Sequence, residues 1–269
     1  MIYNVQGAPL YAYTGGKDFD PSKPTAVFIH GVLNDHSVWI LQTRYFANHG
    51  WNVLAIDLPG HGRSGGKAPA SVQEAVQSVI ALMDAAGVNK AILMGHSFGS
   101  LIAMQAAAEH PDRVSQLVMV GTAYPMRVSP ALLESSISNP HKAIDMVNVF
   151  SHSTLAPPPS ALGPGTWLLG GSKALMRRVL ASNPHENIFN IGFKACDQYD
   201  QGETAITQVM CPTLFLLAKK DQMTPPKAAQ SLIQKARDGH VAWVNAGHQL
   251  MVEAPEECLN AMLAFCKKS

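Results

Sequence analysis

ILMGHSFGSL, residues 92–101, runs an apolar stretch directly into Gly95-His96-Ser97-Phe98-Gly99 and is followed by AMQAAAEH (103–110). The first part suits a fully buried strand and the last a helix, with one sharp turn between them. Strand, turn and helix in that order make the repeating unit of a parallel sheet.

The same unit recurs along the chain. Apolar strand-like runs stand at TAVFI (25–29), WNVLAI (51–56), KAILM (90–94), QLVMV (116–120) and TLFLLA (213–218). Helical patterns lie near 38–48, 71–86, 99–109, 226–237 and 256–267. The alternation predicts an α/β fold with a mostly parallel sheet covered by helices on both faces. IYNV and LYAYT, separated by QGAP, read as an antiparallel hairpin at one edge.

After Val120 the rhythm stops until Thr213, and the stretch between is helical and rich in proline. The expected organisation is a core of residues 1–122 and 208–269 with a helical cap inserted over 123–207. Within it LAPPPSALGPG (155–165) holds too much proline for a helix and reads as a loop.

A chain of 269 residues is long enough for one large domain with such an insertion. Lysine plus arginine number 20 against 19 acidic residues, with no long run of either sign, so a nucleic-acid partner is not expected. Cys196, Cys211, Cys258 and Cys266 show no C-x-x-C spacing and read as reduced, buried thiols. With no apolar run of membrane length and no basic leader, the expected location is the cytoplasm. No H-E-x-x-H, paired-cysteine or Walker pattern occurs, so neither a metal nor a cofactor is expected; the partner is a small-molecule substrate. Composition carries no reading of the oligomeric state.

In an open parallel sheet, ligands collect beyond the carboxyl ends of the strands. Gly-x-Ser-x-Gly at such an end forces a sharp turn that lifts the serine hydroxyl into the open, where the next helix aims its first N–H groups. Taken alone the stretch is also an ordinary Gly-Ser turn; its place between strand and helix favours Ser97 as a nucleophile, with the Phe98 amide as an oxyanion donor. His30-Gly31-Val32, after the first central strand, is either a glycine turn or the source of a second donor, the Val32 N–H.

A serine nucleophile needs a base and an acid to orient it. Of eleven histidines, His248 follows the last strand-like run, HVAWV, in a glycine-bearing loop, whereas His240 precedes that run at the wrong end. His110 reads as a helix cap before proline, and His141, His152 and His185 fall in the cap. Asp221 closes TLFLLA and leaves room for one helix and one strand before His248; a solvated turn aspartate is the plain alternative, and the order Ser, Asp, His favours the acid. Gly60-His61-Gly62-Arg63-Ser64-Gly65 matches G-x-G-x-x-G, but Asp57, Leu58 and Pro59 separate it from its strand, so it reads as a tight turn fixed by Asp57 rather than a phosphate cradle.

HG at 30–31, DLPGHGRS at 57–64, GHSFGS at 95–100, the Asp221 strand end and GHQLMVEAPEE at 247–257 together resemble the α/β-hydrolase superfamily, specifically its capped serine hydrolases. The resemblance covers about 1–122 and 208–269. It implies an acyl-enzyme on Ser97, with His248 as base and Asp221 holding it, acting on a small carboxylic ester, lactone or thioester. Carbon-carbon bond hydrolases of ring-fission products and hydrolase-like small-molecule receptors are the alternatives within the resemblance, although the HGGG-type loop of several esterases and of carbon-carbon bond hydrolases is absent, since Val32, Leu33 and Asn34 follow Gly31. Serine at 97 sets the chain apart from the superfamily's dehalogenases and epoxide hydrolases, which resemble it but carry aspartate there. Met126, Leu132, Leu133, Met146, Phe150, Trp167 and Leu168 could line an acyl pocket or simply pack.

Overall fold

The computed structural model describes residues 1–154 and 167–266, so the proline-rich 155–165 loop lies outside the described residues. Eight strands form one sheet: β1 (Ile2–Val5), β2 (Ala8–Tyr13), β3 (Thr25–Ile29), β4 (Asn52–Ile56), β5 (Ala91–His96), β6 (Val114–Val120), β7 (Thr213–Ala218) and β8 (Gly239–Val244). Their spatial order is β1-β2-β4-β3-β5-β6-β7-β8. The β1–β2 hairpin pairs antiparallel and meets β4 antiparallel, while every pairing from β4 to β8 is parallel.

Eleven α-helices are described: α1 (Ile40–Asn48), α2 (Val72–Ala85), α3 (Phe98–Glu109), α4 (Pro130–Ser138), α5 (Pro140–Ser151), α6 (Leu168–Ser182), α7 (Ile188–Gln198), α8 (Gly202–Gln208), α9 (Gln230–Lys235), α10 (Leu250–Glu253) and α11 (Pro255–Cys266). The central strands are apolar without a break because each face meets helices. Val27, Ile29, Leu93 and Phe215 point into one cluster with α2, α3 and α8. Their neighbours Ala26, Phe28, Met94 and Leu216 point into another with α11. A third cluster unites Leu132, Ile144, Val147, Met176 and Phe189 of α4 to α7 with Leu33, above the strand ends.

The elements differ from the sequence reading at their ends. β5 runs on to His96, which pairs with Val120, and α3 begins at Phe98, so the turn is a single residue, Ser97. The helix expected near 38–48 starts as a 3-10 turn at His36–Trp39, and the one near 226–237 as a 3-10 turn at Pro226–Ala229, since the first turn of a helix is where i-to-i+3 bonding is common. α8 joins the core cluster through Ala205 and Ile206 rather than the cluster of α4 to α7. No disulfide joins the four cysteines; Cys196, Cys258 and Cys266 are buried and Cys211 is partly so. Among the described residues, no helix is long and apolar enough to cross a membrane.

Candidate active site

Ser97 stands at φ 54° and ψ −120°, in left-handed space that a non-glycine residue rarely takes. The turn survives because its neighbours have no side chain. A Cβ on Gly95 would fall 2.0 Å from the Gly99 carbonyl oxygen, and one on Gly99 would fall 2.3 Å from that of Ile29. The Ser97 amide is fixed by donating to the Val120 carbonyl at 2.9 Å. Phe98 opens α3, where an amide has no partner within its own helix. Its ring is buried in the core.

The loop after β7 carries Asp221 and the loop after β8 carries His248, and the two side chains meet. His248 Nδ1 donates to Asp221 Oδ2 at 2.8 Å, with each residue only 5% exposed. That bond assigns the proton to Nδ1 and leaves Nε2 as the basic nitrogen. Asp221 Oδ1 also accepts from the backbone of Met223 at 2.9 Å and of Thr224 at 2.7 Å. Burial opposes the charge on Asp221, but His248 and the donors of Thr224 outweigh it and hold the carboxyl below the usual carboxylate range.

Thr224, which the sequence reading passed over, belongs to the same group. Its Oγ1 lies 2.7 Å from Asp221 Oδ2, 2.9 Å from the Gly121 carbonyl and 3.0 Å from His248 Nδ1. One hydroxyl proton serves one of the two oxygens, while the lone pairs face the ring nitrogen. The only sequence signal was its place three residues past Asp221.

Ser97, His248, Thr224 and Val32 line one cavity of about 280 Å³. Of the apolar residues named above for an acyl pocket, Met126, Leu132, Met146 and Phe150 face it, joined by Val128, Phe193 and Met223. Trp167 and Leu168 face a different cavity, and Leu133 packs in the third cluster. His96 packs against His248, with ring centroids 4.7 Å apart, and the other histidines weighed in the sequence lie elsewhere. His240 sits at the start of β8 in an exposed pair with Asp238, His110 caps α3, and the buried His152 ring bonds the Asn148 carbonyl.

A second Asp–His pair, its aspartate buried and its histidine partly so, lies four strand pairings away across the sheet. Asp57, at the end of β4, accepts from His36 Nδ1 at 2.7 Å and from the backbone N–H groups of His36 and Arg63. The G-x-G-x-x-G stretch is therefore a turn wrapped around Asp57. Asp35, His36 and Asp57 are close enough to hold a cation. Their oxygens, however, already receive Ser37, Arg178, His36 and Arg63.

A turned serine after the fifth strand, an acid after the seventh and a histidine after the eighth define a class of sheet-based hydrolase sites. The alpha/beta hydrolase family matches residues 26–261, and the chain belongs to that family. It is 25% identical over 249 residues, 89% of each chain, to the (E)-2-((N-methylformamido)methylene)succinate hydrolase of Acinetobacter baylyi. It is 37% identical over 106 residues to lipase LipV of Mycobacterium tuberculosis, a match that spans 40% of that lipase. The enol-lactonase of Burkholderia xenovorans LB400 shares the fold over 100% of both chains, with a TM-score of 0.84 at 18% identity.

Proposed function

We propose that the protein is a serine hydrolase that cleaves a small carboxylic ester, lactone or thioester through an acyl-enzyme on Ser97. The observation that carries this reading is that His248, bonded to the buried Asp221, lines the same cavity as a backbone-strained serine. In this mechanism His248 Nε2 takes the Ser97 proton as the oxygen adds to the substrate carbonyl. Asp221 keeps the imidazole in the required tautomer and stabilises its charge. The oxyanion accepts from the Phe98 and Val32 N–H groups, and His248 then protonates the leaving oxygen or sulfur. Water repeats the cycle: it gives a proton to His248 and adds to the acyl carbon, and Ser97 departs with that proton.

A cavity of about 280 Å³ is at the small end of ligand pockets, which begin at about 300 Å³, and its walls are largely apolar. Both features favour a short or medium acyl group. We assign residues 123–207 the role of cap, supplying the apolar wall opposite Ser97. Thiols without disulfides suit the reducing cytoplasm.

Turnover of p-nitrophenyl acetate and hexanoate by the native chain and by Ser97→Ala tests the proposal. Loss of about a thousandfold or more is expected, and equal rates would overturn it.

A further inference from the structure

We propose that Glu253 and the C-terminal end of α5 form a clamp that positions the loop carrying His248, so that one helix both walls the acyl cavity and sets the base. The proposal rests on the acyl-enzyme reading above. Asp221 holds only the imidazole ring; the backbone of the His248 loop is held by other groups, residue by residue. Gly247 N–H donates to Glu253 Oε1 at 3.1 Å. The His248 carbonyl accepts from His96 Nε2 at 2.9 Å. Gln249 N–H donates to the carbonyl of Ser151, the last residue of α5, at 3.1 Å. Glu253 closes the ring, since its Oε2 accepts from the Ser153 N–H at 2.9 Å and from the Ser153 hydroxyl.

Asn245 and Ala246, earlier in the loop, are tied to Glu257 and Lys220, whereas the ties of Gly247 and Gln249, on either side of His248, lead to the end of α5. The approach is close enough to require glycine: a Cβ on Gly247 would lie 2.6 Å from Ser153 N and 2.7 Å from the Ser151 oxygen. Met146 and Phe150 place the same helix on the cavity wall, and Phe150 immediately precedes Ser151. An acyl group resting on that wall bears on the residues that fix the loop. Glu253 reaches the reaction only through this backbone, which makes it a positioning residue. Misplacing a base by about 1 Å can cost on the order of a hundredfold in rate.

The test compares Glu253→Gln, Ser153→Ala and Gly247→Ala with the native chain. It follows kcat and KM on p-nitrophenyl acetate and hexanoate, and the downfield NMR signal of the proton between His248 and Asp221. In Glu253→Gln an amide NH2 faces the Ser153 donors, and kcat should fall by about tenfold to a hundredfold while KM on acetate moves less than about twofold. The downfield signal should broaden or vanish. Gly247→Ala should reproduce this pattern with Glu253 intact, and Ser153→Ala, which removes one bond, should fall between. If Glu253→Gln does not fold, the other two variants carry the test. Native kcat with an intact downfield signal in folded variants, or a change confined to KM, would overturn the clamp. Turnover that survives Ser97→Ala would instead overturn the acyl-enzyme reading, and the clamp would then stand or fall on the NMR signal.

Discussion

Asp57 with His36 and Asp221 with His248 are two versions of one arrangement, each a buried carboxylate at the carboxyl end of a parallel strand with a ring nitrogen 2.7 or 2.8 Å away. Their surroundings give them different work. Asp57 is enclosed by its own loop, and the His36 ring rests against Tyr11 and Tyr13, with centroids 4.9 and 5.7 Å apart. His248 instead shares a cavity wall with Ser97. An Asp–His bond thus ties two loops in either place, and in the proposed mechanism only the pair beside Ser97 takes part in chemistry. The strand that delivers the pair matters more than the quality of the bond.

The sharpest way to break this comparison is to neutralise both acids in separate variants. Asp221→Asn should lower kcat by about ten-thousandfold, because the amide no longer enforces the Nδ1–H tautomer. Asp57→Asn should leave the kcat of folded protein within about twofold, yet cost about 2–3 kcal/mol of stability by turning an amide NH2 toward the buried donors of His36 and Arg63. Ester kinetics and urea unfolding of the two variants read both effects.

Acid sharpens the comparison next, since each region carries a buried neutral histidine. Burial, and then His248, push His96 down to about 3. Burial, and then His30, push His61 down to about 4. Unfolded histidine titrates near 6.5, so below that pH the unfolded chain binds more protons than the folded one. Stability from these rings is complete above about pH 6.5 and declines as the pH falls toward their folded values, by up to about 1.4 kcal/mol per unit for each ring. The depressed carboxyl of Asp221 adds a further loss as the pH falls through its folded value. Urea midpoints at neutral and mildly acidic pH should fall accordingly, and a His61→Asn variant should show a shallower slope.

The smallest effect is expected at Thr224. Replacing it with valine removes one hydroxyl contact from Asp221, worth about 1 kcal/mol or about fivefold in kcat. Steady-state kinetics check this with the fold unchanged.

Much of the fold was legible because buried parallel strands advertise themselves as unbroken apolar runs, as TAVFI and TLFLLA do. Ends were harder to place. That β5 continues through Gly95 and His96 depends on pairing with β6, which no local propensity encodes. For the site, the order Ser97, Asp221, His248 pointed to three strand ends, of which the structure bonds Asp221 to His248 and sets His248 on one cavity with Ser97. Thr224 and Glu253 stayed hidden because their partners lie across the fold: Thr224 reaches Gly121, and Glu253 reaches Ser153. His36 escaped notice for the same reason, being drawn to Asp57 only when β3 and β4 lie side by side. The apolar residues between β6 and β7 divided between cavity wall and packing, a choice set by how α4 to α7 seat above the sheet.

The central claim is that Ser97 is an activated nucleophile and that the Asp221 pair, not the Asp57 pair, activates it. Labelling with a fluorophosphonate, followed by peptide mapping, tests this directly across the native chain, Ser97→Ala, Asp221→Asn and Asp57→Asn. One labelled site is expected, Ser97, with the label absent in Ser97→Ala, slowed about a hundredfold or more in Asp221→Asn and nearly unchanged in folded Asp57→Asn. An unlabelled Ser97, or equal slowing by the two aspartate variants, would contradict the claim.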